Sequence, residues 1–166
     1  MKDLKKLAAE CEADLLSIGI QPGKINRWIV NTRAKYRWGQ CKEYLPGLFD
    51  ISIAERLLQD NVSDQATKNT ILHELLHTVK GCHGHKGKWK ELATKVNRRL
   101  PQYTIKRTAS CEENGLESKP RKRTNRYAVK CVHCGKEYYR ENESKLIQHP
   151  ERYRCGVCHN YLKRLR

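Results

Sequence analysis

Apolar residues recur at helical spacing from the start of the chain. Leu4, Leu7, Ala8, Cys11, Leu15 and Ile18 fall three or four residues apart with charges between them, which predicts an amphipathic helix over residues 3–18, ending near Gly19. Gln21-Pro22-Gly23 marks a turn, and the pattern then changes. Residues 25–33 are rich in β-branched and aromatic side chains and suggest a strand. Tyr36-Arg37-Trp38-Gly39-Gln40-Cys41 suggests a second strand. After Pro46-Gly47, residues 48–53 suggest a third, with alternation in its last positions. Two or three antiparallel strands are the expected product. Ser63 or Asp64 can cap a following helix that runs to about Lys80. Ile71, Leu72, Leu75, Leu76 and Val79 make it too apolar to stand alone, so the sheet and the first helix must cover it. A third helix, about Lys86 to Arg99, turns Trp89, Leu92, Ala93 and Val96 inward. Its other face carries Lys88, Lys90, Lys95, Arg98 and Arg99. Tyr103-Thr104-Ile105 reads as a short extended piece.

From Thr108 to Asn125 large apolar residues nearly vanish and Ser, Glu, Asn, Lys and Pro take over, the composition of a linker. Short strands are expected beyond it at about Tyr127–Lys130, Glu137–Tyr139 and near Tyr153. The organisation expected is a folded domain over 1–107, a basic linker over 108–125 and a small module over 126–166.

Charge adds a partner to this picture. The 166 residues carry a net charge of +16, divided almost evenly between residues 1–110 and 111–166. Such a surplus favours a polyanion, most simply nucleic acid. Arg121, Lys122 and Arg123, with Arg126 just after, suit phosphate contacts that carry no sequence preference. No apolar run approaches the roughly 20 residues of a membrane span, and Met1-Lys2-Asp3-Leu4-Lys5-Lys6 lacks the apolar block of a secretory signal. Four of the eight cysteines fall in two C-x-x-C pairs, a metal-binding pattern of reducing compartments, so a cytoplasmic setting is expected. In a bacterium this would be the nucleoid.

The chemistry centres on His73-Glu74-Leu75-Leu76-His77. On a helix His73 and His77 share one face, one turn apart, and offer two nitrogens to a zinc ion. Glu74 lies about 100° round the helix, placed to act on a water without being a ligand. A catalytic zinc takes three protein ligands and keeps an open position, and a carboxylate beside it can shuttle the proton that amide hydrolysis requires. Gly81 can end the helix and turn the chain back. His83, His85 and Glu91 then stand as candidates for the third ligand, and spacing alone does not separate the two histidines.

His73-Glu74-Leu75-Leu76-His77, then Gly84-His85, with Trp89 four residues beyond, resembles the SprT-like (Spartan-like) metalloprotease domain. Asn31-Thr32-Arg33, Trp38-Gly39 and Ile51-Ser52-Ile53-Ala54 are similar to the small sheet that precedes the metal helix in that family. The resemblance implies an α+β, zincin-like minimal metalloprotease fold, helices packed on a small antiparallel sheet. It implies His85 as third ligand and Trp89 as a packing residue behind the site. It departs from the family in a short loop and in Lys86-Gly87, where Gly-Pro is common. The family's implied substrates are proteins bound or crosslinked to DNA, in a DNA-damage or stress response.

Cys131, Cys134, Cys155 and Cys158 form two knuckles twenty residues apart, the zinc-ribbon pattern, with Gly135 and Gly156 suited to the tight turns. A module of this size needs the metal to fold. SprT-like proteins often end in such a ribbon. Two zinc ions are therefore expected, one catalytic and one structural. The expected activity is a zinc endopeptidase with Glu74 as general base. The alternative is a zinc-stabilised nucleic-acid-binding or regulatory protein without proteolytic activity.

Overall fold

The computed structural model describes residues 1–34, 36–116 and 124–165. Arg121, Lys122 and Arg123 lie outside the described residues. The chain divides into two units, Met1–Ser118 and Lys119–Arg166. Among the described residues no helix is long and apolar enough to cross a membrane.

The first unit opens with α1 (Leu4–Ser17), capped by the Asp3 carboxylate, which accepts from the amides of Lys5 and Lys6. The helix ends where Gly19 takes a left-handed φ of 71°. There the amides of Gly19 and Ile20 return to the carbonyls of Leu16 and Leu15, a glycine-dependent termination. Leu4, Leu7, Ala8, Cys11 and Leu15 are buried, as their spacing predicts.

Strands β1 (Lys24–Asn31), β2 (Gly39–Leu45) and β3 (Leu48–Ala54) form one sheet in the order β1-β3-β2. The hairpin β2–β3 is antiparallel, as expected, with Gly47 at φ 75° in its turn. β1, however, pairs with β3 in parallel, so the sheet is mixed where an antiparallel one was expected. The reason is non-local: the connection from β1 carries the chain past β3's place to the far edge. A register shift between Ile25 and Arg27 lets Asn26 and Arg27 both bond the Asp50 carboxylate on β3. β3 is central and almost wholly buried.

Helix α2 (Asp64–His77) starts at Ser63, whose hydroxyl accepts from the Ala66 amide. Thr67, Thr70, Ile71, Leu72, Leu75 and Leu76 are all buried, so this helix is the axis of the unit. It stops at His77, earlier than the apolar pattern suggests. There Thr78 donates from its hydroxyl to the Leu75 carbonyl and accepts from the Gly23 amide, tying the helix end to the turn before β1. After Gly81 turns the chain at φ 87°, α3 (Lys88–Arg99) packs through Trp89, Ala93 and Val96. Residues 103–105 form no strand, although Tyr103 and Ile105 are buried.

The segment after Ile105 departs from the linker reading. Trp38 Nε1 donates to the Ala109 carbonyl at 3.0 Å, Lys106 pairs with Glu113, Asn114 is buried and Leu116 packs on the core. Residues 106–116 are thus a strap on the first unit. Its few anchors are polar or single, which is why composition alone reads it as a tether.

The second unit is a three-stranded antiparallel sheet, β4 (Tyr127–Cys131), β5 (Glu137–Arg140) and β6 (Leu162–Arg164), with β4 central. A one-turn helix, α4 (Lys145–Gln148), covers it with Ile147. The region near Tyr153 holds a 3-10 turn, Pro150–Arg152, and the third strand lies at Leu162–Arg164 instead.

Candidate metal centres

α2 places His73 and His77 on one face, and the loop between α2 and α3 brings His85 to them. The three Nε2 atoms lie 2.9, 3.1 and 3.3 Å apart. His73 Nδ1 donates to the Lys106 carbonyl at 2.9 Å and His77 Nδ1 to the Cys82 carbonyl at 2.8 Å. A carbonyl only accepts, so both rings carry their proton on Nδ1 and face each other with bare Nε2 lone pairs. Lone pairs in that arrangement repel unless a cation lies among them. Four-coordinate zinc at 2.0–2.1 Å per nitrogen would set the nitrogens about 3.3 Å apart, so the donor set fits such an ion. Burial holds the His73 pKa down to about 4 and lowers those of His77 and His85, keeping the rings in the neutral, ligating form.

Trp89 packs against all three rings, with centroid distances of 4.8, 5.5 and 4.8 Å. His83 is exposed and stands outside the group. Glu91, the remaining candidate, is exposed on α3.

Glu74 is 7% exposed and lines the same cleft of about 810 Å³ as the three histidines. Burial pushes its pKa up to about 7, against the Cys41 amide and the Arg37 charge, which favour the carboxylate. A group balanced there exchanges protons readily at neutral pH. The cleft is lined by Tyr36–Cys41 and by Thr104, Lys106–Ala109, Glu113 and Asn114. Sequence reasoning missed the carbonyls of Cys82 and Lys106 and the contribution of β2. The strand itself was expected over residues 36–41, and the family likeness of Trp38-Gly39 was the one signal tying it to the site.

In the second unit Cys131, Cys134, Cys155 and Cys158 converge, every sulfur within 4.8 Å of the others and two pairs at 3.4 and 3.5 Å. Tetrahedral zinc–thiolate geometry asks for about 3.8 Å, so this group also fits the ion. The Tyr138 hydroxyl and neighbouring amides hold the Cys155 thiol down to about 5, favouring thiolate. The two knuckles match: the amides of Cys131 and Cys155 bond the carbonyls of Lys136 and Asn160, each at 2.8 Å. The left-handed position that Gly135 fills in the first knuckle is taken by His159, at φ 57°, in the second. Gly156 lies in the second knuckle's turn, as expected, but without a left-handed φ. Arg126, the described member of the basic group, is exposed.

A buried helix carrying two ligands and a carboxylate, with a third histidine from the following loop, defines a metalloprotease-type site. A family model described as SprT-like family matches residues 17–109, more than half of the chain, and the chain belongs to that family. No curated protein matches it.

Proposed function

We propose that the protein is a zinc-dependent endopeptidase acting on proteins bound or crosslinked to DNA. The observation that carries this reading is the buried Glu74 carboxylate in one cleft with three converging imidazole nitrogens. His73, His77 and His85 would hold a zinc ion, which when bound supplies Lewis-acid chemistry, acidifying water and polarising a carbonyl. Glu74 takes the proton from the attacking water at its carboxylate and delivers it to the leaving amine. The carbonyls of Cys82 and Lys106 keep the imidazoles oriented, and Trp89 excludes water behind them.

Two features support a DNA partner. On α3, Lys88, Lys95 and Arg99 fall in one stripe about 16 Å long, a row of cations along which a phosphate backbone can lie. The ribbon exposes Tyr139, Tyr153 and Tyr161, with the Arg154 guanidinium 3.9 Å from the Tyr161 ring centroid, a surface on which bases can stack. Binding through either surface raises the local concentration of a protein held on the same DNA. We propose two zinc ions per chain and a reducing, cytoplasmic setting, in keeping with eight free cysteines.

The test is cleavage of a DNA-binding protein by the wild type and Glu74→Gln, with and without DNA, beside zinc per chain for the wild type and His85→Ala. We expect DNA-dependent cleavage lost in Glu74→Gln, and two zinc ions falling to one in His85→Ala. Cleavage retained by Glu74→Gln overturns the reading. So does an equal effect of wild type and Glu74→Gln in cells, which favours the non-proteolytic binding protein.

A further inference from the structure

The eight glycines of the first unit differ in what they are for: Gly84 has open space and no positive φ, Gly23 lies against Phe49 and the Thr78 carbonyl, and five others share a left-handed backbone. Gly19, Gly47, Gly81, Gly87 and Gly115 have φ between 53° and 87°, and a Cβ added to any of them meets nothing closer than 3.7 Å. They serve turns. Gly39 is the opposite case. It lacks a positive φ, so its backbone admits any residue, yet a Cβ there would lie 2.5 Å from Glu74 Oε1, 2.7 Å from Cγ and 2.9 Å from Cδ. The missing side chain is a space, and the Glu74 carboxylate stands in it.

Neither side can give way cheaply. Gly39 pairs with Ile53 at the start of β2, and the next carbonyl back, that of Trp38, accepts from the Ala54 amide at 2.8 Å, so the strand is pinned. Glu74 sits on a helix buried nearly all round, and the Cys41 amide, two residues along the same strand, favours its carboxylate form. A methyl group at position 39 would force the carboxylate out of the place it now occupies.

We propose that Gly39 is a positioning residue for Glu74: β2 cradles the carboxylate, with Gly39 leaving the room that it occupies. Its consequence for catalysis rests on Glu74 acting as the base. The contact itself does not, and the experiment separates the two.

In the full chain, urea unfolding of the first unit is compared for the wild type, Gly39→Ala, Glu74→Ala and the double variant. Gly39→Ala is expected to lower the midpoint in the wild-type background and to be neutral once Glu74 is alanine, because the atoms it strikes are gone. If Gly39→Ala alone does not fold, folding of the double variant is the expected result. Equal losses in both backgrounds, no loss in either, or failure of both variants to fold overturns the inference. In proteolysis, Gly39→Ala is expected to lower kcat about 10²-fold, the order of effect of a 1 Å misplacement, with KM within about twofold. Glu74→Asp, one methylene shorter, is expected to restore part of kcat in the Gly39→Ala background while lowering it in the wild type. A fall confined to KM, or no such rescue, overturns the catalytic part. Absence of proteolysis in the wild type removes the proposed function while the unfolding cycle still decides the contact.

Discussion

The two metal-ligating groups rest on different foundations. The three histidines hang from a frame that has its own core: Leu15, Ile51, Ile53, Leu57, Ile71, Leu72, Leu75 and Leu76 are fully buried in a cluster that includes none of the ligands. In the second unit two of the ligands, Cys131 and Cys155, are themselves core residues, beside Val129, Ile147 and Leu162. One unit has a core apart from its candidate ligands; the core of the other includes two of them. The frame of the first unit can therefore afford an open, half-buried site, whereas the second unit gathers four cysteine sulfurs within 4.8 Å of one another.

The strongest way to break this contrast is to strip metal. With chelator, amide NMR resonances of residues 124–165 should collapse to unfolded positions, while most of those of residues 1–116 stay dispersed; loss of both together would refute it. The next effect is chemical. Glu74→Gln should cut proteolysis by about 10²- to 10⁴-fold with metal content unchanged, read by turnover beside elemental analysis. Third, Leu75→Ala should cost the first unit about 2–5 kcal/mol in urea unfolding and leave the ribbon's resonances in place. The smallest effect belongs to the second knuckle. His159→Gly should stabilise the ribbon against chelator by about 1 kcal/mol, because the side chain is exposed and glycine removes the cost of left-handed backbone.

What the sequence discloses follows the range of the interactions involved. The α1 and α2 faces are local periodicities, and the first strand pair is a hairpin with a turn residue at Gly47, so all were readable from neighbours. The His73–Glu74–His77 group is one turn of one helix. His85 rested on likeness to a family, since spacing left His83 open. The parallel pairing of β1 with β3 depends on a crossover no local pattern records, and Leu162–Arg164 is too short to announce itself as a strand. The strap was hidden because its anchors are an indole N–H, a carbonyl and one ion pair. Gly39 reads as an ordinary position within the second strand until Glu74 is seen opposite.

That strap also says where the chain can be cut. The Lys106 carbonyl orients His73 from beyond the last helix of the unit, and Ala109, Glu113 and Leu116 fasten the segment that presents it. A fragment trimmed to the helices and sheet would keep every residue of the H-E-x-x-H signature and lose the backbone that aims one of its imidazoles. The smallest portable version of this centre therefore ends after Leu116, some way past the point at which the hydrophobic pattern runs out.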